Sequence, residues 1–454
     1  MKKSLLIAVF ITGLFLSCND NTGNNAIPER EVFPYELRQE KLNNELSVVS
    51  VEYPSPDIVA FYIVVRAGSR EEVEPGRTGF AHFFEHMMFR GTDKFPSDQY
   101  KDALMSIGAG ANANTWMDRT VYHMTGNAER LEEMFNLEAD RFMNLKYSVH
   151  DFKTEAGAVK GEYTKNYANP YRKLQEQVVG TAFKNHTYKH TTMGFWEDIV
   201  EMPNMYDYSL TFFDRFYRPE YTTILVVGDI DHANVMNLAK KYFGDWERGN
   251  YQPEIPVEPE QLETRFTHVQ VPAFPPYLSL NYKGPAFDAN TIDNAAIDII
   301  LNMVFSERSE LYKKLVLEEG ILRGLQANAY YTRDPYLISI AASFKEEKDM
   351  QDVKNQITNA LENLKTTPVN SQLLLESKLN IRNSLVMELD NPTSIAETLS
   401  YFIWVTGEAG SFVDFMRMYD QVTQEDVMNA ARKYFSPEKL TIATISSKEE
   451  GGIK

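Results

Sequence analysis

The chain has 454 residues, 43% of them hydrophobic, and a formal net charge of −18. That length exceeds one ordinary core and predicts several domains. The acidic balance argues against nucleic acid as a partner, because phosphate binding needs a basic face.

The first twenty residues differ from the rest. Lys2 and Lys3 form a short basic start, and residues 5–16 are an apolar run too short to span a bilayer. The run ends at Phe15-Leu16-Ser17-Cys18. Small Ser17 before a cysteine predicts a lipoprotein signal peptide over 1–17, with Cys18 becoming the lipidated N-terminus. Phe15 departs from the usual Leu at that place. Cys18 is the only cysteine, so it has no disulfide partner. Residues 18–32 are polar and Gly/Asn-rich and read as a flexible tether. The expected location is the cell envelope, lipid-anchored to a bacterial membrane and facing the periplasm.

The body starts at residue 33. A strand-like run covers 58–66. Helical stretches follow from Thr78 and over 97–107. Residues 108–115 read as a loop by residue type. Val121-Tyr122-His123-Met124 reads as a strand. Asn127 is a helix cap for a stretch reaching Phe142, and 151–167 is a further helix that stops near Asn169-Pro170. An internal repeat is visible. Phe216-Tyr217-Arg218-Pro219-Glu220 leads into a Thr-Ile strand, and Tyr434-Phe435-Ser436-Pro437-Glu438 does the same near the end. The reading is α+β: two homologous domains, 33–249 and 265–450, each a mostly antiparallel sheet packed with helices. A Pro- and Glu-rich, semi-rigid linker at 250–264 joins them.

The chemistry concentrates in Gly79-Phe80-Ala81-His82-Phe83-Phe84-Glu85-His86. His82 and His86 stand one helical turn apart, so both imidazoles reach one ion. Zinc suits paired neutral imidazoles and leaves room for a carboxylate and water. Glu85 stands beside His86 and serves as the base for a water activated by the ion. This order inverts the commoner His-Glu-x-x-His. Glu155 and Glu162 lie two turns apart on one face of the 151–167 helix. Glu162 can complete a His–His–Glu ligand set for one Zn2+ per chain, and Glu155 can orient a ligand histidine or hold charge, although paired glutamates on a helix are by default solvated. Phe83, Phe84 and Phe89 read as core. His123, His150, His186, His190, His232 and His268 read as surface or packing residues.

The stretch from His82 to Thr92 resembles the zinc helix of the pitrilysin/insulinase family, which includes mitochondrial processing peptidase. The resemblance covers nearly the whole mature chain. It implies that Glu162 is the distant ligand and Glu155 the accessory glutamate. It matches Asn112-Ala113-Asn114-Thr115, then Asp118, Thr120 and Tyr122, to a strand near the zinc that lies at a sheet edge and pairs with extended substrate. An unpaired edge offers N–H and C=O groups to any peptide. The implied activity is a zinc endopeptidase acting on extended peptides or small unfolded proteins. One departure stands out. Self-sufficient family members carry an Arg and a Tyr seven apart in the second half, and here those positions hold Val316 and Arg323. Val316 cannot donate to a substrate carbonyl. Arg323, Tyr330 and Tyr331 are alternative donors nearby. The resemblance implies a homologous partner subunit that supplies the Arg–Tyr pair, the two closing like a clam. Two other readings compete: an assembly subunit with structural zinc, for which a base at Glu85 would be superfluous, and a lipoprotein that only binds peptides.

Overall fold

A computed structural model describes residues 32–453. The signal peptide, Cys18 and the tether fall outside the described residues, save Val32. Within them, no helix is long and apolar enough to cross a membrane.

Two sheets organise the chain. The first contains β1 (Leu37–Lys41), β2 (Ser47–Glu52), β3 (Ile58–Val65), β4 (Gly110–Trp116), β5 (Arg119–Asn127) and β6 (Thr222–Gly228), in the order β1-β2-β6-β3-β5-β4. The second contains β7 (Arg265–Gln270), β8 (Tyr277–Lys283), β9 (Leu322–Ala329), β10 (Leu337–Phe344) and β11 (Leu440–Ser446), in the order β7-β11-β8-β10-β9. Each has one parallel pair, β2 with β6 and β7 with β11, and the other pairs are antiparallel. Once β1 is set aside, the strand orders coincide. The repeat seen in the sequence is the same unit twice. A helix (Tyr206–Phe216, then Gln424–Tyr434) is followed by a 3-10 turn (Pro219–Tyr221, then Pro437–Lys439), then by an inner strand, β6 or β11.

The inner strands β3 and β6 are continuous apolar runs because both of their faces are covered. Val59, Phe61, Ile63, Ile224 and Val226 face the helices of their own half. Ala60, Tyr62, Val64, Leu225 and Val227 join a core with Ile395, Leu399 and Ile403 on the Pro392–Thr406 helix of the second half. The reverse also holds. Leu174, Val178 and Ala182 on the Pro170–Ala182 helix of the first half pack with Val269, Leu337, Ala443 and Ile445 of the second sheet. Each half lends a helix to the other's sheet.

The structure corrects three local expectations. Residues 110–116 are the edge strand that the family resemblance implied, not the loop that residue type alone suggested: pairing with apolar β5 outweighs the weak strand preference of Gly, Asn and Ala. The glutamate helix runs Val149–Tyr167 and starts earlier than read, because Ser148 and Asp151 form a reciprocal cap. The segment between the halves is irregular yet docked. Glu258 accepts from the backbone N–H groups of Lys184, Asn185 and His186 at 2.9–3.1 Å, and Gln261 donates to the Leu440 carbonyl.

Candidate metal centre

The helix Phe80–Met87 carries the His-x-x-Glu-His motif. Gly79 opens it at φ 88°, and a Cβ there would meet Ile199 Cδ1 at 2.4 Å, so only glycine fits. Buried Glu72 accepts from Gly79 N and Ala81 N, both at 2.8 Å, satisfying two donors of the first turn. Phe80, Phe83, Phe84 and Met87 are fully buried and fix the helix on the core. Tyr122 of β5 donates to the Phe84 carbonyl at 3.2 Å and ties the helix to the sheet. The remaining face presents His82, Glu85 and His86.

The two histidines meet the Val149–Tyr167 helix. Glu162 Oε2 lies 3.6 Å from His82 Nε2 and 3.5 Å from His86 Nε2. One donor atom from each of the three lies within 4.8 Å of the other two. Two imidazole nitrogens converging on one carboxylate oxygen form a donor set that suits zinc and leaves a coordination position free. Glu155, two turns earlier on the same helix, accepts from His86 Nδ1 at 2.9 Å and from Arg90 Nε at 2.6 Å. With its proton held on Nδ1, His86 keeps the Nε2 lone pair toward Glu162. Burial raises the Glu155 carboxyl, but bonds from His86 and Arg90 outweigh it and hold the group below the usual range. The bond to Glu155 is the main reason His86 is raised, whereas burial and then the charge of His86 lower His82. His82 Nδ1 is buried without a partner, so only His86 has an orienting carboxylate.

A cavity of about 360 Å³ opens beside these groups, lined among others by His82, Glu85, Glu162, Asn114, Thr115 and Trp116. It adjoins a second cavity of about 380 Å³ that shares Trp116, Met117, Arg172, Gln175, Val179 and Tyr336 and reaches the face of β8 and β10. Among the described residues, β4 has a strand neighbour on one side only and is the sheet edge nearest the motif. Of the expected substrate-contact residues, Asn114 and Thr115 line the first cavity, Asn112 is exposed, and Ala113 is buried in the core. Arg119 donates to the Asn114 carbonyl at 2.8 Å.

The turn between β4 and β5 is clamped from the second half. Asp118 is fully buried and accepts from Tyr188 Oη at 2.6 Å and from Arg333 N at 2.8 Å. Arg333 also reaches Glu71 at 2.8 Å, and Asp334 accepts from Arg70 and His186. Burial pushes the Asp118 carboxyl up to about 6. Trp116 makes edge contacts with Tyr330 and Trp404 of the second half at 5.5 and 5.8 Å. Sequence reasoning missed Arg90, Glu72 and this clamp. Arg90 carried a signal, since it continues the four-residue spacing of His82 and His86.

None of the alternative donors lines the cavity that holds His82 and Glu85. Arg323 Nε donates to the Phe344 carbonyl at 3.2 Å, Tyr331 Oη lies 3.5 Å from Tyr419 Oη, and Tyr330 lines the second cavity. Val316 sits in a short π-helix, Lys313–Glu318, packed against the second-half core.

Comparison with known proteins agrees with this architecture. Residues 47–194 match the family described as Insulinase (Peptidase family M16), and residues 206–381 match its companion, Peptidase M16 inactive domain. The chain belongs to the insulinase family. It is 24% identical over 408 residues to zinc protease PqqE of Helicobacter pylori, covering 88% of this chain and 90% of that protein. It is 21% identical to mitochondrial-processing peptidase subunit beta of Caenorhabditis elegans, covering 87% of each. A solved protease from Helicobacter pylori superposes with TM-score 0.84 at 23% identity, over 91% of this chain and 99% of that one. The periplasmic protease PqqL of Escherichia coli superposes with TM-score 0.75 at 18% identity, over 94% of this chain but 49% of that one. The insulinase-type fold, two domains with one mixed sheet each, is therefore shared.

Proposed function

We propose that the chain is a zinc-dependent endopeptidase in which His82, His86 and Glu162 hold the ion and Glu85 is the general base. The observation that carries this reading is the convergence of two Nε2 atoms and one Oε2 atom within 4.8 Å, in a cavity that also holds Glu85. When bound, zinc would acidify water and polarise a peptide carbonyl. Glu85 accepts the proton and returns it to the leaving amine. Glu155 and Arg90 fix the His86 ring. Substrate adds as an extended strand on the free edge of β4, beside Asn114 and Thr115, where backbone pairing gives affinity without sequence preference. The names of the relatives, zinc protease and processing-peptidase subunit, support peptide hydrolysis.

The reading includes a partner. None of Val316, Arg323, Tyr330 and Tyr331 reaches the cavity, so a group facing the substrate carbonyl comes from a homologous subunit carrying the Arg–Tyr pair. The twofold length of the PqqL protease supports a two-chain equivalent of it. A fully active complex containing only this chain, identified by native mass measurement, would reject the partner. Cys18 then anchors the enzyme to an envelope membrane through lipid; Cys18→Ser should release it from the membrane fraction. The decisive test of catalysis is Glu85→Gln. Peptide cleavage should fall about 10²–10⁴-fold with bound zinc unchanged. Undiminished cleavage would remove Glu85 from the mechanism.

A further inference from the structure

His232 is a buried histidine that no step of the proposed hydrolysis uses. It opens the helix His232–Phe243 and is 5% exposed. Its Nδ1 lies 2.6 Å from Ser50 Oγ on β2, which fixes the ring. Its Nε2 is buried, has no hydrogen-bond partner among the described residues, and lies 3.4 Å from Glu52 Oε1. Glu52 ends β2, and Glu36 directly precedes β1, which pairs with β2. One donor atom each of Glu36, Glu52 and His232 lies within 4.8 Å of the other two, as also holds for His82, His86 and Glu162.

We propose that Glu36, Glu52 and His232 form a second zinc site, on the edge of the first sheet opposite β4. In the tautomer with the proton on Nδ1, donated to Ser50, the Nε2 lone pair points at a carboxylate, and the two repel unless a cation lies between them. An imidazole oriented through one nitrogen, with the other facing carboxylates, is the arrangement of metal-binding histidines, and imidazole with carboxylate suits zinc. The three ligands come from separate segments, so the ion staples the start of β1 to the end of β2 and to the helix that follows β6. Arg38 occupies Glu36 at 2.6 Å, but both side chains are more than half exposed, and such a pair contributes little. The positive end of the His232–Phe243 helix, whose first N–H reaches Glu52 at 3.3 Å, makes this site weaker than the first.

The test is zinc stoichiometry of the full chain, by equilibrium dialysis against Zn2+ alone and metal analysis. The wild type should saturate at two ions per chain. The double variant His82→Ala, His86→Ala should keep one, and adding Glu52→Gln should remove it. Glu52→Gln alone should keep one ion and leave peptide cleavage unchanged. Glu52 lies at the surface, so this variant folds, and Glu36→Gln gives a second reading of the same site. Saturation of the wild type at one ion that Glu52→Gln does not affect would overturn the proposal. So would a second ion that survives Glu36→Gln and Glu52→Gln together. Failure of the first site looks different: one ion in both the wild type and the double histidine variant, lost with Glu52→Gln.

Discussion

Replacing Glu155 by Gln asks whether a buried carboxylate holds His86 in the tautomer that binds metal. Glu155 accepts from two donors at once, His86 Nδ1 at 2.9 Å and Arg90 Nε at 2.6 Å, and its side chain is 8% exposed. A Gln of the same shape has one oxygen and one NH2. The arginine is always charged and takes the oxygen. The NH2 then faces His86 Nδ1, which must become an acceptor, and the ring proton moves to Nε2, the nitrogen aimed at Glu162. Loss of a group that orients a ligand costs about 10–100-fold in metal affinity. With the wrong tautomer imposed, we expect the upper end, about 2.8 kcal/mol at 1.4 kcal/mol per tenfold. Glu155→Ala removes the orienting group without imposing a tautomer and should cost less, about tenfold. Zinc affinity is measured by competition with a chromophoric chelator, with circular dichroism as the check on folding. A folded Glu155→Gln protein that binds zinc as tightly as the wild type would refute the tautomer argument, as would a Gln variant that binds better than the Ala variant.

Glu162→Ala should abolish the zinc-dependent rise in melting temperature due to the first site; at a zinc concentration a hundred times Kd that rise corresponds to about 2.7 kcal/mol, read by calorimetry. Gly68→Ala should displace the β4–β5 turn, because its Cβ would meet the Trp116 and Met117 carbonyl oxygens at 2.1 and 2.4 Å, and backbone cannot yield cheaply. Destabilisation of about 1–3 kcal/mol or more in urea, with reduced cleavage and unchanged zinc content, is the expected pattern. Asp334 gives a pH signature. Burial would raise its carboxyl, but His186 and Arg70 outweigh burial and lower it well below the usual range. A folded value below the unfolded one, about 3.9, means the stabilisation is complete above that pH and lost as pH falls toward the folded value. The stability gap between wild type and Asp334→Asn should therefore be constant near neutrality and narrow below about pH 4; a gap that widens on acidification would contradict the assignment.

The parts of the site legible in the sequence are those set by local periodicity. His82 and His86 share a helical face because residues four apart must. Glu155 and Glu162 share one because residues seven apart lie two helical turns apart. That the two helices converge is a tertiary fact, and only the resemblance to a family supplied it in advance. β4 was hidden because Gly-Ala-Asn-Ala-Asn lacks β-branched residues, and its extended form is imposed by β5 across the ladder. Ser148 with Asp151 spelled out a reciprocal cap that a reading by apolar spacing passed over. Asp118 and Arg333 are 215 residues apart and join through a backbone N–H, which no side-chain pattern encodes. The docking of Glu258 on 184–186 was hidden for the same reason.

These long-range contacts bear on what the second half does for a site built from the first. Trp116 ends the strand whose free edge faces the cavity, and it rests on Tyr330 and Trp404. Two residues on, Asp118 is held by Arg333. The geometry of the β4 edge is therefore set jointly by both halves, although every candidate zinc ligand comes from one. The covering of the sheets points the same way. Without the Pro392–Thr406 helix, Ala60, Tyr62, Val64, Leu225 and Val227 would present an apolar face to water. Without the Pro170–Ala182 helix, the second sheet would lose the residues that cover Leu337, Ala443 and Ile445. Exposed patches of that kind bind other surfaces rather than remain solvated. Neither half is thus a self-contained folding unit, and in the proposed reaction the second would act by holding the strand on which substrate would lie.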